Sequence, residues 1–310
     1  MSKVCLVIIF NHKYNKNIPL LQKIYGDKFQ NVYYIVPFYC ETVEGVKKEN
    51  IIQVYETSYC FQGYIAQAYE KIRRDCYSHY IFIADDQILN PKLNEGNIIR
   101  EMGLSLNESY IKEIIPYDEI RKGSLVDKSN KLYNIISAFS VNVGVSFISE
   151  IPSYNDAVKK CESFGLRVPI KLPLSFFLNS GYISFKHLPL TLVTLGVNKG
   201  RKLRYPLFKA YSDMIIINAD SMSEFCRLSG VFAAMNIFVE TAIPLAMVLA
   251  CENIKQEKDL NNYKGIEYWN EDIHNFEIKY NYDLKKLFSD FGTDILYYHP
   301  VKLSRWKGMR

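Results

Sequence analysis

Strand and helix patterns alternate along the first hundred residues, and this alternation limits the fold more than any other feature. Short runs rich in β-branched and aromatic residues predict buried strands at 3–10, 31–38, 50–57 and 80–84. Apolar residues at helical spacing predict helices at 18–29 and around 61–72. This order predicts an α/β fold, Rossmann-like, with a mostly parallel and doubly wound central sheet.

The remainder of the chain is less regular but returns to the same kind of pattern. The polar segment 94–173 is typical of a helical and irregular insertion. A strand pattern follows at 211–220, then two helix patterns within 221–250, for which Ser221 or Ser223 is the expected cap. The chain closes with a strand pattern and a basic, aromatic tail.

Composition excludes some partners and compartments. The 310 residues carry a net charge of +5, which is too mild to indicate a nucleic-acid partner. The same charge is compatible with an anionic substrate or a loose contact with a membrane surface. Seven scattered cysteines without a C-x-x-C pair favour a reducing compartment, and the amino terminus has no signal-peptide pattern. We therefore expect a cytoplasmic protein.

One apolar stretch, Val231 to Cys251, is nearly long enough to span a bilayer. It carries Asn236, Glu240 and Pro244 near its middle. A carboxylate at that depth costs several kcal/mol in lipid. The stretch therefore predicts buried helix of a globular domain.

Two adjacent carboxylates, Asp85 and Asp86, follow the strand at 80–84 directly. Open α/β sheets bind ligands at the carboxyl ends of their strands, and neighbouring carboxylates need a compensating cation. A Walker B strand would need a G-x-x-x-x-G-K-[ST] loop, and a dinucleotide site would need G-x-G-x-x-G after the first strand. Neither motif is present, so a D-x-D-type metal site and a simple capped turn are the two remaining interpretations.

The ending YYHPVKLSRWKG, with His299, Lys302 and Lys307, bears on that choice. It resembles the closing motif H-x-x-G-x-x-K-P-W of retaining, glycogenin-like GT-A glycosyltransferases, although the glycine is missing and Lys302 follows His299 by three residues, not six. The resemblance implies that Mn²⁺ or Mg²⁺ is held by Asp85, Asp86 and His299. It also implies that Lys302 or Lys307 reaches the donor phosphates. An ordinary surface histidine in a basic tail is the alternative.

More of the chain resembles bacterial GT-A nucleotide-sugar glycosyltransferases of surface polysaccharide biosynthesis. The segments that carry the resemblance are FNHKYNKNI, SYCFQGYIAQAYEKI, YIFIADDQILNP, AYSDMIII and GVFAAMNIFVETAIPLAMVLA. It implies a GT-A-like fold in one domain, with a nucleotide-binding half at 1–93, a helical insertion at 94–173, and an acceptor-side half with a donor-closing tail at 174–310. It implies transfer of a hexose from a UDP-sugar to a glycan or lipid-linked glycan of the O-antigen, capsule or lipopolysaccharide kind. The basic tail would be the part to touch the inner face of the plasma membrane.

On this interpretation two short segments would bind the donor. Phe10, Asn11 and His12 would meet the nucleoside, since an aromatic ring can stack on uracil and an amide can pair with its edge. Gln62 and Gly63 open a helix, where backbone N–H groups can meet a ribose or phosphate. His12 could equally be a solvated loop residue, and Gly63 a simple helix-start residue.

Two further carboxylates are candidates for a general base. Glu240 lies in an otherwise apolar helix, where burial would raise its pKa, and Asp213 stands at the start of a strand. A structural ion pair is the alternative for Glu240, and a turn at the start of the strand is the alternative for Asp213.

Two other functions compete with glycosyl transfer. A sugar-nucleotidyltransferase also combines an α/β sheet with metal-binding aspartates, but it would need a Gly-rich, Arg-containing loop where this chain has FNHKYNKN. A non-catalytic partner in a polysaccharide assembly complex would need no metal at all. If the tail from His299 onward closes over a donor, we expect it to be mobile without nucleotide and to contribute few contacts to the core.

Overall fold

The computed structural model describes residues 3–12, 14–39, 43, 45–120, 139, 147–171, 203–260 and 262–308. The strands are β1 (Lys3–Ile9), β2 (Val32–Pro37), β3 (Ile51–Val54), β4 (Tyr77–Ala84), β5 (Ile88–Leu89), β6 (Glu108–Ile111), β7 (Ile115–Pro116), β8 (Phe208–Lys209), β9 (Met214–Asn218), β10 (Asn253–Lys255), β11 (Lys264–Glu267) and β12 (Ile295–His299). The helices are α1 (Ile18–Tyr25), α2 (Gln62–Ile72), α3 (Ile98–Glu101), α4 (Tyr154–Ser163), α5 (Ala219–Ala234), α6 (Val239–Ala250), α7 (Glu271–Lys279) and α8 (Leu284–Ser289).

The central sheet has seven strands in the order β10-β6-β9-β4-β1-β2-β3. Strand β9 runs antiparallel to both of its neighbours, and every other pairing in this sheet is parallel. The predicted α/β class with a mostly parallel sheet is therefore confirmed. The pairing of β1 with β4 also places Ile9 beside Ala84, so the chain leaves both strands at the same edge.

Both faces of the sheet are buried, and the strand alternation explains how. Along β1, Cys5 and Val7 belong to one core cluster, whereas Leu6 and Ile8 belong to the other. The first cluster includes residues of α2, α5 and α6, and the second includes residues of α1, α7 and α8. Burial on both faces accounts for the nearly continuous hydrophobic runs of these strands.

A second, smaller sheet delivers the end of the chain to the edge of the first. It has the order β11-β12-β5, with β12 antiparallel to β5 through the pairs Tyr297–Leu89 and Tyr298–Ile88. Strand β5 begins two residues after Asp86, so this pairing carries His299 back beside the aspartates. The short strands β7 and β8 form a separate antiparallel pair.

The predicted insertion at 94–173 is corrected in part. Strand β6 lies within that range, yet it is an integral strand of the central sheet, between β9 and β10. The described residues of the range also contain α3 and α4. Residues 121–138, 140–146 and 172–173 of the predicted insertion lie outside the described residues.

The apolar stretch from Val231 to Cys251 forms two helices. Helix α5 ends at Ala234 and α6 begins at Val239, with Asn236 at a positive φ of 55° between them. In the parts of the chain that the structure describes, no helix is long and apolar enough to cross a membrane. The predicted cap was wrong, because α5 begins at Ala219, before Ser221 and Ser223, and Asn218 is its N-cap.

The carboxyl-terminal segment, residues 300–307, is part of the core. Val301, Leu303 and Trp306 are at most 1% exposed. The ring of Trp306 lies 5.6 Å from that of Phe276 in α7, and the charged group of Arg305 lies 3.4 Å from Glu277 Oε2. The expectation that this segment contributes few core contacts was therefore wrong.

Candidate functional site

Asp85 and Asp86 form a tight turn directly after β4. The N–H of Gln87 donates to the carbonyl of Ala84 at 3.1 Å, and the N–H of Asp85 donates to the carbonyl of Ile9 at 3.0 Å. Asp85 is 6% exposed, whereas the side chain of Asp86 is 34% exposed. Burial, followed by the adjacent charge of Asp86, raises the pKa of Asp85 to about 8. The turn therefore favours a protonated Asp85 unless positive charge lies nearby.

His299 lies against both Asp86 and Asp213. Its Nε2 is 3.2 Å from Asp86 Oδ1, and its Nδ1 is 3.7 Å from Asp213 Oδ2. The backbone fixes this arrangement, because the N–H of Val301 donates to the carbonyl of Asp86 at 2.6 Å. Burial favours the neutral imidazole, but Asp213 and Asp86 outweigh it and raise the pKa of His299 to about 9. The structure thus brings together a histidine and two carboxylates from three distant parts of the sequence.

Asp213 completes this group from the residue before β9. Its carbonyl accepts a hydrogen bond from the N–H of Ala84 at 3.0 Å, which holds the start of β9 against the end of β4. Burial raises the pKa of Asp213, and the neighbouring His299 opposes the increase. The sequence suggested Asp213 only as a separate base, and the structure places it in the same cluster as Asp86 and His299.

The donor atoms of this cluster suit Mn²⁺ or Mg²⁺ in type, since these ions take carboxylate oxygens, and Mn²⁺ also takes imidazole nitrogen. Within the described ranges, however, no three His, Cys, Asp or Glu side chains are arranged to hold a metal ion. Here the imidazole itself lies between Asp86 and Asp213 as their cationic partner. Binding of a metal by His299 would require loss of the imidazolium proton.

A cleft of about 360 Å³ opens beside the cluster, and both Asp213 and His299 line it. Asn11 and His12 line its β1 side. The side-chain oxygens of Asn11 and Ser212 are buried without a hydrogen-bond partner among the described residues. Such atoms are costly unless something binds them, so this part of the cleft is suited to a polar ligand.

Three residues predicted to bind a donor lie elsewhere. Phe10 is fully buried, with its ring 6.5 Å from that of Tyr34, so in this structure it is not available to stack on a nucleobase. Gln62 is also fully buried and donates from Nε2 to the carbonyl of Ile237 at 2.9 Å. Gly63 packs against α5, where an added Cβ would lie 2.9 Å from Ala233 Cβ. The last two residues therefore serve the contact of α2 with its neighbours, and neither lines the cleft.

The two lysines of the tail differ in position. Lys302 is half-buried and follows Val301, whose N–H binds Asp86. Lys307 is exposed, and its backbone is hydrogen-bonded to Tyr282 and Leu284 beside the start of α8. Of the two, Lys302 is the one next in the chain to the backbone hydrogen bond with Asp86.

Glu240 lines the cleft and lies in the first turn of α6. Its Oε2 is 3.8 Å from Nζ of Lys209, and Lys209 is only 4% exposed. In this structure Glu240 therefore forms an ion pair with Lys209, which is the alternative to a general base. Its position at the cleft still allows its carboxylate to contact a ligand.

Sequence reasoning missed several residues near the site, and two of them, Trp269 and Glu267, bear on its chemistry. Trp269 lines the cleft after β11, and no periodic pattern marks it. Glu267 lies opposite His299 in the β11–β12 register, and its Oε1 accepts from Tyr297 Oη at 2.9 Å and lies 3.0 Å from Lys112 Nζ. These contacts join residues far apart in the chain, so no local signal could have indicated them.

No family model matches this chain, and no curated protein matches it. A comparison with solved structures finds similarity to the mannosyltransferase Ktr4p from S. cerevisiae. The two chains are 9% identical, the match covers 83% of this chain and 68% of that one, and the TM-score is 0.32. This similarity is too low to assign a fold, a substrate or a reaction.

Proposed function

We propose that this protein is a metal-dependent glycosyltransferase that transfers a hexose from a UDP-sugar to a hydroxyl of a glycan. One observation carries the proposal: Asp86, Asp213 and His299 converge beside Asp85 at the carboxyl edge of the central sheet, next to an open cleft. Ligands of open α/β sheets bind at this edge. The partial motif at His299 supports the same function, because it resembles the donor-closing motif of GT-A glycosyltransferases.

Each residue of the cluster has a distinct role in this proposal. Asp86 and His299 would hold Mn²⁺ or Mg²⁺, and the bound cation would favour the ionised form of the buried Asp85 behind them. When bound, the cation supplies positive charge for the departing diphosphate. Asp213 adds negative charge 3.7 Å from Nδ1 of His299, and Asn11 offers its unpartnered side-chain oxygen to the polar edge of the base.

The acceptor hydroxyl would enter from the side of Asp213 and Glu240, which both line the cleft. Either carboxylate can accept a proton from a hydroxyl, as an inverting enzyme requires. A retaining enzyme has less need of such a base. The stereochemistry of the product therefore shows whether Asp213 or Glu240 is required as a general base. The resemblance to enzymes of surface polysaccharide biosynthesis makes a lipid-linked bacterial glycan, met at the inner face of the membrane, the acceptor to test first.

Calorimetry with UDP, with and without Mn²⁺, tests the proposal. We expect Mn²⁺ to tighten UDP binding to the wild-type protein, and we expect Asp86→Asn to reduce that effect by about tenfold or more while the far-ultraviolet circular dichroism is unchanged. Asp75→Asn is the matched control, because Asp75 is an exposed aspartate outside the cleft. A panel of UDP-sugars, assayed for Mn²⁺-dependent hydrolysis, then identifies the donor. Absence of any metal-dependent UDP binding in the wild type would instead indicate a non-catalytic partner.

A further inference from the structure

We infer that the Tyr211–Trp269 side of the cleft is a subsite for a neutral pyranose and that it disfavours acidic sugars. This inference rests on the proposed function and deepens it by naming the wall that receives the acceptor saccharide. Four features of the structure support it: the exposure of the two rings, their anchoring, their position relative to the aspartate cluster, and the charges that line the cleft.

The two rings form one aromatic surface. Their centroids are 5.7 Å apart, with an angle of 39° between the ring planes. Trp269 is 44% exposed and Tyr211 is half-buried, and both line the cleft. The face of an aromatic ring is electron-rich, so it attracts the weakly positive C–H groups that cover one face of a pyranose. An exposed pair of this kind is therefore well suited to sugar stacking.

The surface is held in place before any ligand arrives. The N–H of Tyr268 donates to the carbonyl of His299 at 2.8 Å, and the N–H of Asp272 donates to the carbonyl of Trp269 at 3.1 Å. Nζ of the buried Lys209 lies 3.8 Å from the ring centroid of Tyr211. A wall fixed in this way loses little conformational entropy when it binds a ligand.

The topology sets the subsite apart from the donor side. Strand β4, which carries the aspartates, lies between β1 and β9. Asn11 and His12 follow β1, whereas Tyr211 precedes β9. A nucleotide held on the β1 side with its diphosphate near His299 thus leaves the Trp269 side for a second molecule.

The lining charges favour a neutral sugar. Asp213 and Glu240 present carboxylates to the cleft, the cationic His299 that also lines it is already paired with Asp86 and Asp213, and no lysine or arginine of the described residues lines it. The charge of Lys209 is directed at Glu240 and the ring of Tyr211. Sugar hydroxyls can donate hydrogen bonds to these carboxylates, whereas the carboxylate of a uronic acid would meet like charge.

Intrinsic fluorescence gives a direct test on the full chain. The protein has two tryptophans, and Trp306 is 1% exposed, so acrylamide quenching reports mainly on Trp269. The probes are methyl glucoside and methyl galactoside, each as both anomers, with glucuronic acid as the anionic counterpart of glucose. Each is added at millimolar concentration in the presence of UDP and Mn²⁺. We expect at least one neutral glycoside to protect Trp269 from quenching and glucuronic acid to leave quenching unchanged.

Variants show whether the wall itself binds the sugar, with saturation-transfer NMR of the protecting glycoside as the readout. Trp269→Ala should weaken binding by about fivefold, and Trp269→Phe, which keeps an aromatic face, should restore most of it. Tyr55→Ala is the matched control, because Tyr55 is 59% exposed and lies outside the cleft, and it should bind like the wild type.

The results separate this inference from the function on which it rests. Wild-type saccharide binding by Trp269→Ala, equal binding of glucuronic acid, or no protection by any neutral glycoside would each overturn the subsite. Failure of the wild type to bind UDP with Mn²⁺, with Trp269 still protected by a neutral glycoside, would overturn the proposed function but support the sugar site.

Discussion

The two tryptophans of this chain lie in two regions that meet near His299, and their environments are opposite. Trp306, in the carboxyl-terminal segment after β12, is 1% exposed and packs on Phe276 and Tyr280. Trp269, in the loop after β11, is 44% exposed and lines the cleft. The motif in the Trp306 segment predicted a ligand-binding tail, but the structure shows that this segment is part of the core. The Trp269 loop carries no motif, yet it lies at the candidate site.

The neighbouring residues explain this difference. Trp306 belongs to a segment in which Val301 and Leu303 are also buried, and its ring packs on Phe276 of α7. Trp269 is followed by Asn270, at a positive φ of 54°, and then by α7, so its loop ends at the surface. A tryptophan surrounded by buried apolar residues therefore stabilises the fold, and one kept exposed beside carboxylates is available to a ligand.

The largest expected effect is on stability. Trp306→Ala should lower the free energy of unfolding by about 3–5 kcal/mol, because it removes a large, fully packed side chain and leaves a cavity. Trp269→Ala, at an exposed position, should change it by about 0.5 kcal/mol or less. Urea unfolding followed by circular dichroism measures both. Similar losses from the two variants would remove the distinction between the two regions.

Which features could be predicted from the sequence depends on whether the interactions that form them are local or long-range. The strands around Asp85 and the helices near Phe61 were predictable, because their patterns are local. The contact of His299 with Asp86 was suggested only by a motif, since it depends on the antiparallel pairing of β12 with β5. The burial of Phe10 depends on which face of the central sheet α1 covers, and no local pattern indicates that choice.

Gly63 provides a smaller test of the same distinction, because it too was predicted at the site and lies in the packed interior. In Gly63→Ala the new Cβ would lie 2.9 Å from Ala233 Cβ, so α2 and α5 must shift, and such overpacking costs about 1–3 kcal/mol. Gly230→Ala is the matched control on the facing helix, where the new Cβ would lie 3.4 Å from Ala66 Cβ.

The two glycine variants should therefore differ in sign. Gly230→Ala should leave stability unchanged or raise it by up to about 1 kcal/mol, since alanine favours the helix. Thermal unfolding by calorimetry, together with UDP titration of each folded variant, separates packing from binding. If Gly63→Ala has unchanged stability but binds UDP more weakly, the result would support the predicted role of Gly63 in donor binding and contradict the packing role.

The smallest expected effect is that of Lys302→Ala, which tests whether the carboxyl-terminal segment contacts the donor although it is part of the core. Lys302 is half-buried beside the backbone link from Val301 to Asp86, whereas Lys307 is exposed next to α8. A lysine that pairs with a diphosphate oxygen contributes a charge-assisted hydrogen bond. Lys302→Ala should therefore weaken Mn²⁺-dependent UDP binding by about tenfold, or about 1.4 kcal/mol. The same variant should bind UDP with a weaker dependence on ionic strength, because one charge contact is lost.

Lys307→Ala is the matched control and should change the affinity by less than about twofold, the size expected of an exposed charge remote from the ligand. Calorimetric titrations at two salt concentrations provide both quantities. If Lys302→Ala binds UDP like the wild type at both salt concentrations, the segment is core alone. If it shows the predicted loss, the segment of eight residues at 300–307 both completes the core through Trp306 and binds the donor through Lys302.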